Sequence, residues 1–168
     1  MKVHLQPTPR IDRFLRTEEV LWLSVVRPGG LPHLVPIWFS WDGRDILLVS
    51  KPSAVKIDAM REEPRVMLAL GDAEEDFDVA LIEGIAELPD EPVTTFLPER
   101  HWTKYAADLA GIGLTRDEYL RTYSQPVRIR PTRFLGWHGR TKPRSDRRAG
   151  AGLPAAPTHR SGTATLIA

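Results

Sequence analysis

Within seven residues the run Ser50-Lys51-Pro52-Ser53-Ala54-Val55-Lys56 gathers two hydroxyls and two ammonium groups, just ahead of a segment of helical composition. Such groups at such a place hold anions. Ser53 is suited to cap a helix over about 54–62, which must end before Pro64. A helix start presents unpaired N–H groups and a partial positive charge. Lys56, at about the third helical position, adds a full charge on a mobile stem, and Lys51 lies just before the cap. On these residues alone two readings stand: a phosphate-type site, or a solvated lysine beside an ordinary cap.

A second candidate is the run Val35-Pro36-Ile37-Trp38. Pro32 and Pro36 withhold ladder donors, which places them on an edge strand or bulge, facing a ligand, a partner subunit or solvent. Five tryptophans (Trp22, Trp38, Trp41, Trp102, Trp137) offer planar surface, and most tryptophans serve packing. Trp38 is the one placed to stack on a planar ligand. His33, His101 and His138 lack metal-ligand spacing, so no metal site is expected; they read as satisfied surface histidines, with a substrate-facing role the alternative for His101. The acidic run Asp72, Glu74, Glu75, Asp76 and Asp78 reads as a solvated turn. There is no nucleophile elbow, Walker-type loop or G-x-G-x-x-G run. No catalytic side chain is assigned.

The elements that must position these groups are short. Residues 1–9 read as a loose arm, and 10–18 as an amphipathic helix with Ile11, Phe14 and Leu15 on one face. Strand-like runs flank Pro28-Gly29-Gly30 and the Asp42-Gly43 hairpin signal. Residues 45–50 and 65–70 are compact apolar runs, hence buried strands. On the helix between them, Ala54, Ile57, Met60 and Arg61 share one face. Gly84 interrupts the long strand 78–88 and suggests a bulge. Residues 91–109 are helical but divided at Pro98; Thr115 and Glu118 form a capping box for a further helix to about Tyr123. Residues 126–137 alternate apolar with arginine. About six strands with short helical insertions indicate a mainly β, antiparallel split barrel.

With 168 residues and no cysteine, the chain reads as one domain without disulfides or thiolate metal sites. Net charge is +1, but from Arg140 onward six basic residues face one acid, leaving the rest at −4. Residues 10–139 form the expected domain. Residues 140–168, rich in Pro, Gly, Ala and Arg, read as a disordered tail. No bulk charge argues for nucleic acid, and the tail lacks interleaved aromatics, so no specific nucleic-acid partner is expected. No signal-like or membrane-spanning run is evident, which makes a cytoplasmic protein the expectation.

In order and spacing, several segments resemble the pyridoxamine 5′-phosphate oxidase-like split barrels, in particular the branch using the deazaflavin coenzyme F420. They are RPGGLPHLVPIWF (27–39), WDG (41–43), SKPSAVKIDAMR (50–61), EPRVMLAL (63–70), EGIAEL (83–88) and RPTRFLGW (130–137). The resemblance implies a Greek-key homodimer with two cofactor sites at the subunit interface and a small-molecule substrate. It places Lys56 on the cofactor phosphate with Ser50 and Ser53 around it, and Val35, Pro36, Ile37 and Trp38 along the ring, largely through backbone atoms. Lys51, Arg61 and Arg65 would meet the polyglutamate tail of F420. FMN is the alternative cofactor, and a non-catalytic flavin- or haem-binding barrel the alternative function. Hydride transfer by such a ring requires binding, orientation and exclusion of water from the protein, not a nucleophile.

Overall fold

The computed structural model describes residues 2–72, 78–137 and 139; the basic tail, His138 and the acids at 74–76 lie outside them. Eight strands, β1 (Lys2–His4), β2 (Val20–Val26), β3 (Pro32–Trp38), β4 (Ser40–Trp41), β5 (Ile46–Ser50), β6 (Arg65–Asp72), β7 (Asp78–Glu87) and β8 (Gln125–Trp137), form one sheet. All pairings are antiparallel, in the order β3-β2-β6-β7-β8-β5-β4, with β1 added against β8. The two ends of that order are neighbours in the chain. Only Phe39 separates β3 from β4, so the sheet curls round until one chain segment serves both its edges. The expectation of about six strands is met when β3 and β4 are taken as one and β1 is set aside.

Turn chemistry fixes the hairpins. Gly29 and Gly30 carry φ of 87° and 86° between β2 and β3, and Gly43 carries 100° between β4 and β5, a conformation that costs a side-chain-bearing residue about 1–2 kcal/mol. The bulge at Gly84 is present: the β7–β8 register slips between Glu83 and Gly84. A Cβ at Gly84 would sit 2.7 Å from Ile129 Cγ2 and 3.1 Å from the Arg130 carbonyl oxygen, so glycine is what lets β8 approach there.

Two cores result. Leu21, Leu23, Val25, Ile46, Leu48, Leu68, Ile82 and Ile129 fill the barrel. Outside it, Leu47 and Val49 meet Phe96, Leu97, Trp102, Leu109, Tyr119 and Leu120. This explains the unbroken apolar run of β5: alternate residues enter different cores, as in a strand covered on both faces. The outer core is built by α3 (Val93–Phe96), α4 (Glu99–Lys104), α5 (Ala106–Gly111) and α6 (Arg116–Thr122), short because Pro98 and Gly111 interrupt them. Thr115 and Glu118 complete the capping box at α6. Ile11, Phe14 and Leu15 of α1 (Pro9–Thr17) pack into the barrel core.

The N-terminal segment departs from the loose arm expected for 1–9. β1 pairs with Phe134–Gly136, while Thr8 caps α1 and Pro9 begins it. Three residues show no periodicity by themselves; their order comes from the β8 edge they meet.

Candidate functional site

The anion-type residues converge where β5 leads into α2 (Val55–Glu62). Ser50 ends β5 opposite Gln125, is 1% exposed, and its Oγ has no hydrogen-bond partner among the described residues. Lys56 sits at the second position of α2 and is only 6% exposed. No carboxylate among the described residues pairs with it. Burial, and secondarily the charge of Lys51, lowers its pKa from the usual lysine value. Lys51 is half-buried, with Nζ 5.6 Å from the centroid of the Tyr123 ring. A buried ammonium, a second one repelling it and an unpartnered hydroxyl form a binding deficit that an anion would relieve.

Two residues are placed differently from the sequence reading. Ser53 is exposed and does not cap α2; Ala54 is the N-cap, without a side-chain bond. The reason is a turn: the Ala54 N–H donates to the Lys51 carbonyl at 3.0 Å, so Pro52 and Ser53 form its corner and the helix starts one residue later. The first-turn N–H groups consequently have no side-chain cap, which favours an incoming anion further. Arg61 does not share the buried face of Ile57, Ala59 and Met60. It is exposed and bonds Asp58 at 2.6 Å. Arg65 is likewise engaged by Glu63 at 2.6 and 2.8 Å, which holds that carboxyl at a pKa of about 2.

β3 is the edge strand that Pro32 and Pro36 suggested: among the described strands it pairs with β2 alone, against which α2 packs. Val35 and Ile37 turn into the barrel core, Pro36 is exposed, and Trp38 lies against the outer core. Trp38 already stacks on Tyr105 (4.7 Å, 13°) and Tyr119 (5.7 Å, 26°). Its ring is committed to tyrosines, so this run would meet a planar ligand with edge backbone atoms. The tyrosines were not singled out from sequence. The capping box locates α6, but only its docking carries Tyr119 to Trp38 and Tyr123 to Lys51.

His101 is 1% exposed, with Nδ1 2.9 Å from Ser40 Oγ and Nε2 without a partner among the described residues. Burial, aided by Lys104 and Arg116, pushes its pKa down to about 3. It is a neutral packing histidine rather than a surface one. No group of three or more His, Cys, Asp or Glu among the described residues is placed to hold a metal ion.

Residues 7–145 match the family model described as pyridoxamine 5′-phosphate oxidase. The chain belongs to that family. It is a family of flavin-binding split barrels with oxidoreductase members, the architecture just described. Among solved structures, a conserved hypothetical protein of Mycobacterium tuberculosis is 26% identical (TM-score 0.61; 79% of this chain and 85% of that one). An F420 reductase is 22% identical (TM-score 0.60; 77% and 98%). The haem storage protein HutZ of Vibrio cholerae is 14% identical (TM-score 0.58; 80% and 97%). The last two, at such identities, share the fold. No curated protein matches the sequence.

The deficit at Ser50, Lys51 and Lys56 fits the phosphate of a flavin-type cofactor: the group is anionic, and the donors are present without a protein acceptor.

Proposed function

We propose that this pyridoxamine 5′-phosphate oxidase-family protein is an F420-dependent reductase acting on a small unsaturated molecule. The observation that carries the cofactor site is the buried Lys56 ammonium, beside Lys51 and the Ser50 hydroxyl, with no carboxylate or hydrogen-bond partner for either Lys56 or Ser50 among the described residues. Lys56 would hold the phosphate by charge, Ser50 would donate a hydrogen bond, and Lys51 would meet negative charge further along the cofactor. The edge of β3 at Val35–Trp38 would orient the ring through its backbone groups. Burial of Lys56 and Ser50 would keep water from the phosphate end of the cofactor. When bound, the deazaflavin supplies the hydride. Resemblance over 27–39 and 50–61 supports this choice of cofactor, together with the likeness of 77% of this chain to an F420 reductase.

FMN is the second reading, and a specific observation favours it. Arg61 and Arg65 are neutralised by Asp58 and Glu63, leaving Lys51 as the uncommitted member of the three cations expected to meet a polyglutamate tail. FMN carries no such tail.

Titrating the purified protein separately with F420 and FMN, by tryptophan quenching and calorimetry, decides between them. F420 is expected to bind more tightly, and Lys56→Met to weaken it by about tenfold or more, since charge-assisted bonds contribute about 1.5–3 kcal/mol. Preference for FMN would move the protein to the flavin reading. Affinity unchanged in Lys56→Met would displace the site altogether.

A further inference from the structure

Three rings form a column between the two halves of the candidate site. Trp38, at the end of β3, stacks on Tyr119 at 5.7 Å and 26°. Tyr119 stacks on Tyr123 at 4.5 Å and 29°. Lys51 closes the column, its Nζ 5.6 Å from the Tyr123 ring centroid. The backbone holds this end from both sides. The Ala54 N–H donates to the Lys51 carbonyl at 3.0 Å, and the Tyr123 N–H donates to the Tyr119 carbonyl at 2.8 Å as α6 ends. Two residues later β8 begins at Gln125, which pairs with Ser50. Lys51 and Tyr123 therefore meet just beyond the end of the β5–β8 ladder.

A lysine ammonium rides on a flexible four-carbon stem, and without an anchor it spreads its charge through water. A carboxylate would anchor Lys51 but cancel its charge and repel an anion. A ring face attracts the ammonium and leaves that charge uncompensated. No carboxylate among the described residues pairs with Lys51. The charge of Lys51 acts on Lys56, adding to the effect of burial. β2, packed on α2, carries no charged residue between Val20 and Val26, and Asp58 of α2 is engaged by Arg61 at 2.6 Å. Lys51 is thus the second cation of the site, and the Tyr123 ring is what it rests on.

We infer that Tyr123 is a positioning residue of the anion site, its ring holding the Lys51 ammonium beside Lys56 so that two cations meet a phosphate-bearing ligand. The ring face does this, not the phenol hydroxyl. The nature of the ligand rests on the cofactor reading; the anchoring of Lys51 does not.

The anchor is tested first in the ligand-free protein, by following the Lys56 Cε–Hε NMR resonance through a pH titration. Tyr123→Leu frees Lys51, so the Lys56 pKa is expected to rise toward the ordinary lysine value, as it should in Lys51→Met. Tyr123→Phe, which keeps the ring, is expected to match the parent. In a Lys51→Met background Tyr123→Leu should change nothing further, because the two side chains act as one unit. The same variants are then titrated with F420, with FMN, and with riboflavin, which lacks the phosphate. Tyr123→Leu is expected to weaken whichever phosphate-bearing cofactor binds by about threefold to tenfold, and to leave riboflavin unchanged. The inference is overturned by an unchanged Lys56 pKa in Tyr123→Leu, by Tyr123→Phe behaving as Tyr123→Leu, or by an equal effect in the Lys51→Met background. It is also overturned by equal weakening of riboflavin, or by unchanged affinity for a cofactor that Lys56→Met weakens. Binding of neither F420 nor FMN would end the cofactor reading instead, and the Lys56 titration would still decide the anchor.

Discussion

His101 shows how far burial decides what a titratable residue does. The ring is held neutral down to about pH 3 in the fold, against 6.5 in an exposed histidine. In that window the unfolded chain binds one more proton than the native one, so stability falls as pH drops below about 6.5. The loss amounts to a few kcal/mol when the window is fully crossed. His101→Asn removes the titration and retains a group able to meet the Ser40 hydroxyl. Its melting temperature is expected to fall less than that of the unmodified protein between about pH 7 and pH 5, where carboxylates stay mostly ionised. Parallel curves from the two proteins would refute this. The sequence placed His101 in a helical segment and had no means of showing that it would be sealed. The same limit applied to Arg61 and Ser53. Helical spacing put Arg61 on the buried face of α2, but a local bond to Asp58 holds it outside. A residue type suited to capping put Ser53 at the helix start, but the Pro52 turn displaced it. Lys56 was legible because its type and its place in the first turn coincide; that it is buried without a partner was not.

At the scale of elements, the join between β3 and β4 is the place where one chain changes sheet edge. Phe39 belongs to neither ladder, so its polar backbone needs another partner. Tyr105 supplies it: its hydroxyl accepts the Phe39 N–H at 3.0 Å and donates toward the Glu19 carbonyl at 2.5 Å, with the Phe39 carbonyl also 3.0 Å away. Burial raises the phenol pKa, so it remains a donor through the physiological range. Tyr105→Phe keeps the stacking on Trp38 and removes only the hydroxyl. Leaving such groups unsatisfied costs about 1–3 kcal/mol, and a comparable loss is expected in urea unfolding, with the m-value unchanged. A variant as stable as the parent would show that the join needs no clamp. Hairpins were readable from glycine turns, the Gly84 bulge from an interrupted strand, and α6 from its capping box. The docking of the helical insertion was not readable, because it is set by contacts such as Tyr105 to Phe39 that span 66 residues of sequence.

For the whole molecule, the outer faces of β3, β2 and β6 carry Leu34, Trp22 and Met67 at 58%, 48% and 38% exposure. Contiguous apolar surface of this kind marks an interface, and we propose a second copy of the chain as its occupant, consistent with the homodimer implied by the resemblance. Sedimentation equilibrium is expected to show a dimer for the unmodified protein and a monomer for Trp22→Arg/Leu34→Asp, whose positions are exposed within the subunit. A monomeric parent, or a double variant that stays dimeric, would remove the proposal. The fold as a whole was legible because turn glycines, an apolar run covered on both faces and an alternating last strand all agree with one barrel. Its closing strand also governs the order in which the protein comes into being. β8 pairs with β1, β5 and β7, and it is the last strand of the described sheet to leave the ribosome. Until residue 137 has emerged, β5 and β7 present bare edges of the kind that recruit other chains. From the emergence of β7 until that of β8 the nascent protein is therefore an open sheet, exposed to association with its neighbours on the same message.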